Sequence, residues 1–308
     1  MSEEIDYRKL KKIAIIGCGL IGGSIGMALK KKNFSGKIIG VDQEKIIEKA
    51  IQKGAIDWGT YQIEKGVVNA EVVFLATPVL EIIKLIPRIK PFLSKNCLIT
   101  DTGSTKKEIL DKAEKIFSNK HDYIGSHPMA GLEKGGIEYA SSDLFVDKPF
   151  ITIPKKMNSN FAEPKMSSFI HGIGAVEIKM DINEHDRIIA MISHLPQLIA
   201  VLMTNMMGSV ADEGNNEKYF SIGGKVFNEM TRIASSPFPI WKDIFQTNKF
   251  WTIKAIEELV NLLESVKGKI ANNTIELLED DFRKANYLKE RILKNKYLKV
   301  KKGVRIDE

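Results

Sequence analysis

The sequence predicts an α/β fold: a doubly wound parallel sheet over residues 1–182, followed by an all-α domain over residues 183–308. Three observations carry this. Short β-branched runs alternate with helical stretches through the first part, the pattern of a parallel sheet with crossover helices. A glycine-rich turn joins the first run to the first helix. From Asn183 onward the pattern is helical to the end.

Each element follows from its residues. Lys12 to Gly17 (KIAIIG) reads as a buried strand ending in glycine, and a helix runs from the glycine turn through Leu29. Lys37 to Asp42 (KIIGVD) is the second strand, and Glu44 to Lys53 a helix stopped by Gly54. Glu71 to Thr77 (EVVFLAT) is the third strand, broken by Pro78, before a helix from Leu80 to Ile89. Cys97 to Asp101 (CLITD) is the fourth, and Ser104 to Phe117 a helix with Ser104 or Thr105 as N-cap. Tyr123 to Ser126 and Phe150 to Ile153 are further strands. After the polar patch KKMNSN come a helix from Ala162 to His171 and a last strand, Ala175 to Lys179.

Composition leaves the class open but narrows it. The 308 residues are 44% apolar and 28% charged, ordinary globular usage. The net charge is +7, with eight Lys and Arg residues between Lys289 and Arg305. No aromatic platform interleaves with them, so the reading is a solvated end that binds no nucleic acid. Cys18 and Cys97 form neither a CxxC nor a metal-spaced cluster, so no disulfide framework and no metal are expected. Met1 to Leu10 lacks the apolar core of a signal peptide, which points to a cytoplasmic protein. Ile188 to Met207 carries no formal charge and is long enough to span a bilayer. It also contains His194, Pro196, Gln197 and Asn205, so the expectation is a helix buried in the all-α domain or a subunit interface, not a membrane span.

Gly17-Cys18-Gly19-Leu20-Ile21-Gly22 is GxGxxG in the context the motif needs, after a strand and opening a helix. Gly17 allows the tight turn, Gly19 lets backbone approach a pyrophosphate, and Gly22 lets the helix pack on the sheet. Leu20 and Ile21 then belong to the helix N-terminus that offers N–H groups to the phosphates. Asp42 ends the second strand twenty positions after Gly22, where its carboxylate can accept the ribose hydroxyls and repel a 2′-phosphate. Gln43 supplies no cation beside it. The cofactor expected is NAD, with Thr77 and Pro78 at the end of the third strand completing its contacts; FAD is a minor alternative.

Three further clusters carry chemistry. Asp101-Thr102-Gly103-Ser104-Thr105-Lys106 and Gly125-Ser126-His127-Pro128-Met129-Ala130-Gly131 lie at carboxyl ends of strands, the ligand edge of an open α/β sheet. The third lies in the helical part: His185, Ser193-His194-Leu195-Pro196-Gln197 and Thr231-Arg232-Ile233-Ala234. Singly each has a plain structural reading: a helix cap, a turn residue, a bent helix, an ion pair. In this order, GSHPMAG, SHLP and TRIASSPFPIWKDIF resemble the prephenate/arogenate dehydrogenase family from about Lys12 to about Leu278.

The resemblance implies a homodimer joined by the all-α domain and an oxidative decarboxylation of prephenate or arogenate on the way to tyrosine. His127 is similar to the family's catalytic histidine and Ser104 to its hydroxyl-bearing partner. Arg232 resembles the arginine that binds the ring carboxylate. His185, His194 and Trp241 resemble residues lining the substrate site, the tryptophan coming from the partner subunit. Two positions depart from the pattern. Asn228 stands where a lysine or arginine is frequent, and Gln197 follows SHLP where some members have histidine; both lie near the substrate. The chemistry suits these residue types, since a neutral imidazole can take a hydroxyl proton while hydride leaves the same carbon. A guanidinium fork can clamp a carboxylate. Competing readings are another reductase of the same two-domain plan, or a dinucleotide sensor without activity.

Overall fold

The computed structural model describes the chain except residues 1–5, 118–120, 155–157, 214–217, 219–221 and 303–308. Lys155 to Met157 of the polar patch and Arg305 of the basic tail therefore lie outside the described residues. By its internal contacts the chain forms two compact units, Met1–Thr252 and Ile253–Glu308.

The first unit is built on β1 (Lys12–Ile16), α1 (Leu20–Lys31), β2 (Lys37–Val41), α2 (Glu44–Gln52), β3 (Trp58–Thr60), α3 (Ile63–Val67), β4 (Val72–Leu75) and α4 (Val79–Ile89). There follow β5 (Leu98–Asp101), α5 (Lys107–Phe117), β6 (Asp122–Pro128), β7 (Pro149–Pro154), α6 (Ala162–Gly172) and β8 (Val176–Lys179). The helical part comprises α7 (Ile182–Ile189), α8 (Leu195–Glu213), α9 (Lys225–Ala234), α10 (Phe238–Thr247), α11 (Lys249–Ala271) and α12 (Glu279–Lys302). All eight strands form one sheet in the order β3-β2-β1-β4-β5-β6-β7-β8.

Strand alternation builds the two faces. Ile13 and Ile15 of β1 join Ile25, Leu29, Phe74 and Phe169 in one buried cluster. Ala14 and Ile16, pointing the other way, join Val73, Ile86, Ile99 and Phe117 in a second. Helices cover both faces, which is why the strands read as continuous apolar runs instead of alternating ones. Each fully buried Ile or Leu stabilises the fold by about 1.5–3 kcal/mol, so truncating the wholly buried Ile15 to Ala would cost about 2–5 kcal/mol.

The structure departs from the expectation in four places. The sheet is not wholly parallel: β7 runs antiparallel to β6, pairing His127 with Ile151. Strand β3 and helix α3 were not read from the sequence. The fifth helix starts at Lys107, not Ser104, and neither Ser104 nor Thr105 caps it. Its N-terminus is capped from afar by the Asp186 carboxylate, which accepts the N–H groups of Lys106 (2.8 Å) and Lys107 (3.0 Å). Last, the uncharged stretch is not one regular helix. Between α7 and α8 lies a π-helical segment, Ala190–His194, immediately before Pro196, which has no N–H to give. Helix Ile182–Val210 is long and apolar enough to cross a membrane, and only 33% of its most apolar window is buried.

The second unit is helical. Lys269 of α11 pairs with Asp281 of α12 at 2.8 Å, and Val260, Leu263, Phe282 and Leu288 are solvent-exposed.

Candidate active site

The glycine turn has the shape a dinucleotide needs. Gly17 has φ +95°, and a Cβ there would meet the Ala76 carbonyl oxygen at 2.5 Å. A Cβ on Gly22 would overlap the Gly17 carbonyl oxygen, whereas Gly19 faces open space. Gly19 is the N-cap of α1, whose first N–H groups have no partner within the helix. Asp42 stands beside the turn, accepting the N–H of Cys18 and of Gln43, each at 2.7 Å. Thr77 Oγ1 is buried without a hydrogen-bond partner, a group that a bound ligand would satisfy. The residues fit a dinucleotide: backbone N–H groups at α1 for the pyrophosphate, Asp42 for the ribose, Thr77 and Pro78 at the end of β4.

A cavity of about 460 Å³ opens at the carboxyl edge of the sheet. Its wall brings together Ile21 of the glycine motif, Ser104, His127, His194, Gln197 and Trp241. Residues from the turn after β5, from β6 and from the helical part thus meet beside the first turn of α1. Ser104 is half-buried, in a loop. His127 ends β6, and its Nδ1 lies 3.0 Å from His185 Nε2, which leaves Nε2 for the cavity. Burial, with the charges of Lys106 and the neighbouring imidazoles, pushes the His127 ring well below the usual imidazole range, so it is neutral at pH 7.

His194 is fully buried, and its Nε2 has no partner. Burial lowers its pKa to about 4. Gln197 donates from Nε2 to the Ile233 carbonyl at 3.0 Å, so its amide oxygen is free to accept.

Two expectations change. His185 was expected to line the substrate site. It is fully buried, with Nε2 toward His127 and Nδ1 2.7 Å from Asp186 Oδ1, so it backs His127 instead of facing the cavity. Within this chain Trp241 lines the cavity, its ring 6.2 Å from that of His194 at 85°. Arg232 does not line the cavity; it is half-exposed and bonds Glu229 (2.9 and 3.0 Å) and Glu133, which does line it.

Sequence reasoning missed Glu133, Asp186, Lys106 and Asn248. Lys106 is wholly buried; its ammonium pairs with Asp101 and donates to the Ser126 carbonyl at 2.7 Å, just behind His127. A lysine in a turn signals nothing of that kind. The HD pair at 185–186 was the one available hint, since a carboxylate beside a histidine can fix its ring. Asp243 of the W-x-D-I-F run caps α4, accepting the N–H of Leu80 at 3.1 Å.

Fold and cavity define an oxidoreductase that works on a nicotinamide dinucleotide, with a buried histidine at the sheet edge. The comparisons agree and go further. Residues 25–179 match the family described as prephenate dehydrogenase, nucleotide-binding domain, and residues 181–284 its dimerization domain. The chain belongs to the prephenate dehydrogenase family. It is 31% identical to the prephenate dehydrogenase of Lactococcus lactis subsp. cremoris, over 91% of this chain and 77% of that one. It is 28% identical to the cyclohexadienyl dehydrogenase of Zymomonas mobilis, over 89% and 94%. The crystal structure of prephenate dehydrogenase from Aquifex aeolicus, in complex with hydroxyphenyl propionate and NAD+, superposes with a TM-score of 0.85 at 30% identity, covering 92% of this chain and 99% of that one.

Proposed function

We propose that the chain catalyses the NAD+-dependent oxidative decarboxylation of prephenate to 4-hydroxyphenylpyruvate in tyrosine biosynthesis, as a cytoplasmic homodimer. The observation that carries this is the convergence of His127 and Ser104 on one cavity beside the helix of the glycine motif. NAD+, when bound, accepts the hydride from substrate C4. His127 takes the C4 hydroxyl proton on Nε2, and Ser104 holds that oxygen in place. His194 presents its Nε2–H to a substrate oxygen. Arg232 holds the C1 carboxylate, for which Glu133 must release the guanidinium. Loss of CO₂ makes the ring aromatic and drives the step forward. Asp42 beside a turn with no cation at Gln43 supports NAD+ over NADP+.

Arogenate is the second reading, favoured by Glu133 and by the free amide oxygen of Gln197. Both are acceptors in the cavity wall that could take the N–H groups of an amino acid side chain. Separate incubations with NAD+ and each substrate, followed by NADH absorbance, test both readings. Faster turnover of arogenate would reverse the preference, and no NADH from either would remove the assignment.

A further inference from the structure

We propose that Asp186 and His185 are positioning residues that hold His127 in the one neutral tautomer able to act as a base toward the cavity. The inference rests on reading His127 as that base. The hydrogen-bond directions follow from atoms whose roles are fixed. Asp186 accepts from the backbone N–H groups of Lys106 at 2.8 Å and Lys107 at 3.0 Å, and backbone N–H groups can only donate. Both contacts, and the helix N-terminus they belong to, hold Asp186 as a carboxylate. His185 Nδ1, 2.7 Å from Asp186 Oδ1, must then be the protonated nitrogen. In a neutral ring the other nitrogen is an acceptor, so His185 Nε2 receives a hydrogen bond across 3.0 Å from His127 Nδ1. His127 is left with its proton on Nδ1 and a bare lone pair on Nε2.

The line runs through protein interior: His185 is fully buried, Asp186 2% exposed and His127 9% exposed. Water therefore does not reach His185 or Asp186 to supply alternative partners there. The neutrality of His185 is also enforced locally. Lys106 and Asp101 form a wholly buried pair near the two rings. Burial and the Lys106 ammonium oppose a second proton on His185, while Asp186 favours it. Were His185 cationic, both its nitrogens would donate. His127 would then accept on Nδ1 and carry its proton on Nε2, where it could not serve as a base. After proton uptake at Nε2, the His127 imidazolium still donates from Nδ1 to His185, so the same line stabilises the charge formed in the reaction.

Nitrogen-15 NMR of the full-length protein, labelled at its five histidines and assigned by substitution, reads the tautomer directly. Near neutral pH, His127 should show a protonated Nδ1 and an unprotonated Nε2. Asp186→Leu keeps much of the volume but removes the oxygen that accepts the His185 Nδ1 proton, so nothing fixes the direction of the line. The His127 proton should then divide between Nδ1 and Nε2, with kcat lowered about 10²- to 10⁴-fold and substrate KM nearly unchanged. His185→Phe should lower kcat similarly and free the His127 ring between tautomers. A wild-type His127 protonated at Nε2 would overturn the proposal, as would a folded Asp186→Leu enzyme with normal kcat. If neither substrate were oxidised, the base assignment would fall, while the wild-type spectrum would still decide the tautomer.

Discussion

The side-chain amide of Asn248 holds His194 by Nδ1, at 3.3 Å, while its other hydrogen goes to the Asp186 carbonyl at 2.7 Å. Since the second contact can only be a donation from nitrogen, the amide nitrogen also faces His194. Nδ1 of His194 is thus the acceptor, and its proton sits on Nε2, the atom left without a protein partner in the cavity wall. One residue just past α10 so sets a donor for substrate and braces the backbone of the residue that orients His127.

This arrangement makes the protein sensitive to acid. The pKa of His194 is about 4 in the fold, below the ordinary 6.5, and those of His185 and His127 are lowered too. Between these values the unfolded chain binds more protons than the folded one, so stability rises with pH there and falls as pH drops from 6.5 through about 4. His194 alone should account for a loss of roughly 3 kcal/mol once pH is below its folded pKa. Urea unfolding at a series of pH values measures the slope, and His194→Gln should flatten it. A wild-type slope of zero below pH 6 would contradict the buried, neutral ring.

His127→Asn should lower kcat by roughly 10²-fold or more with little change in substrate KM or NAD+ affinity, because the ring is asked to act only as the C4 proton leaves. In the wild type, the acid limb of kcat/KM should lie below the ordinary imidazole range, since burial lowers the free-enzyme pKa. Normal turnover by His127→Asn would end the mechanism.

Arg232 should fail differently. Its side chain is half-exposed, so solvent screens its pairing with Glu133 and Glu229. Arg232→Ala should raise substrate KM about 10- to 100-fold with a smaller effect on kcat, and Arg232→Lys should rescue only in part. Glu133→Gln removes the competing carboxylate. It should lower KM for prephenate and, if the amine of arogenate uses Glu133, raise KM for arogenate. Steady-state kinetics on both substrates separate these outcomes.

What the sequence showed and what it hid divide along sequence distance. The glycine turn, Asp42 and the strand ends carrying Ser104 and His127 were legible because local pattern alone fixes them: a strand, a turn and a helix within a few dozen residues. The cap of α5 was not. Ser104 is the right residue type in the right place, yet Asp186, about eighty positions away, takes the N–H groups. His185 was read as a substrate contact from the resemblance, because sequence says nothing of which face a ring turns to. Strand β3 escaped because Trp58-Gly59-Thr60 is three residues at a sheet edge, too short for any period. Glu133 sits in a glycine-rich loop and owes its importance entirely to Arg232, ninety-nine residues on.

Asp42→Ala should relax the cofactor preference. In the wild type, kcat/KM with NAD+ should exceed that with NADP+ by at least about tenfold, since the carboxylate accepts ribose hydroxyls and repels a 2′-phosphate. The variant loses both effects and should bring the two values together, mainly by weakening NAD+. Equal values for the two cofactors in the wild type would refute the preference.

An apolar strip runs along the π-helical segment and α8. Ile192, Leu202, Met206 and Val210 are 60%, 60%, 65% and 55% exposed, the first three within the stretch that carries no charge from Ile188 to Met207 and Val210 just beyond it. Soluble monomers rarely leave so long an apolar strip in water. Covering each such side chain fully would gain about 1.5–3 kcal/mol, enough in sum to drive association. A bilayer and a second copy could both supply the cover. The charged residues Glu184, Asp186 and Arg187 lie in the same helical run, and Asp186 is committed to α5 and His185, which favours a protein partner. Sedimentation should therefore give twice the chain mass of 34.6 kDa, and Leu202→Glu with Met206→Glu should give a monomer. A wild-type monomer that stays active at micromolar concentration, or one that pellets with lipid vesicles, would reject the homodimer.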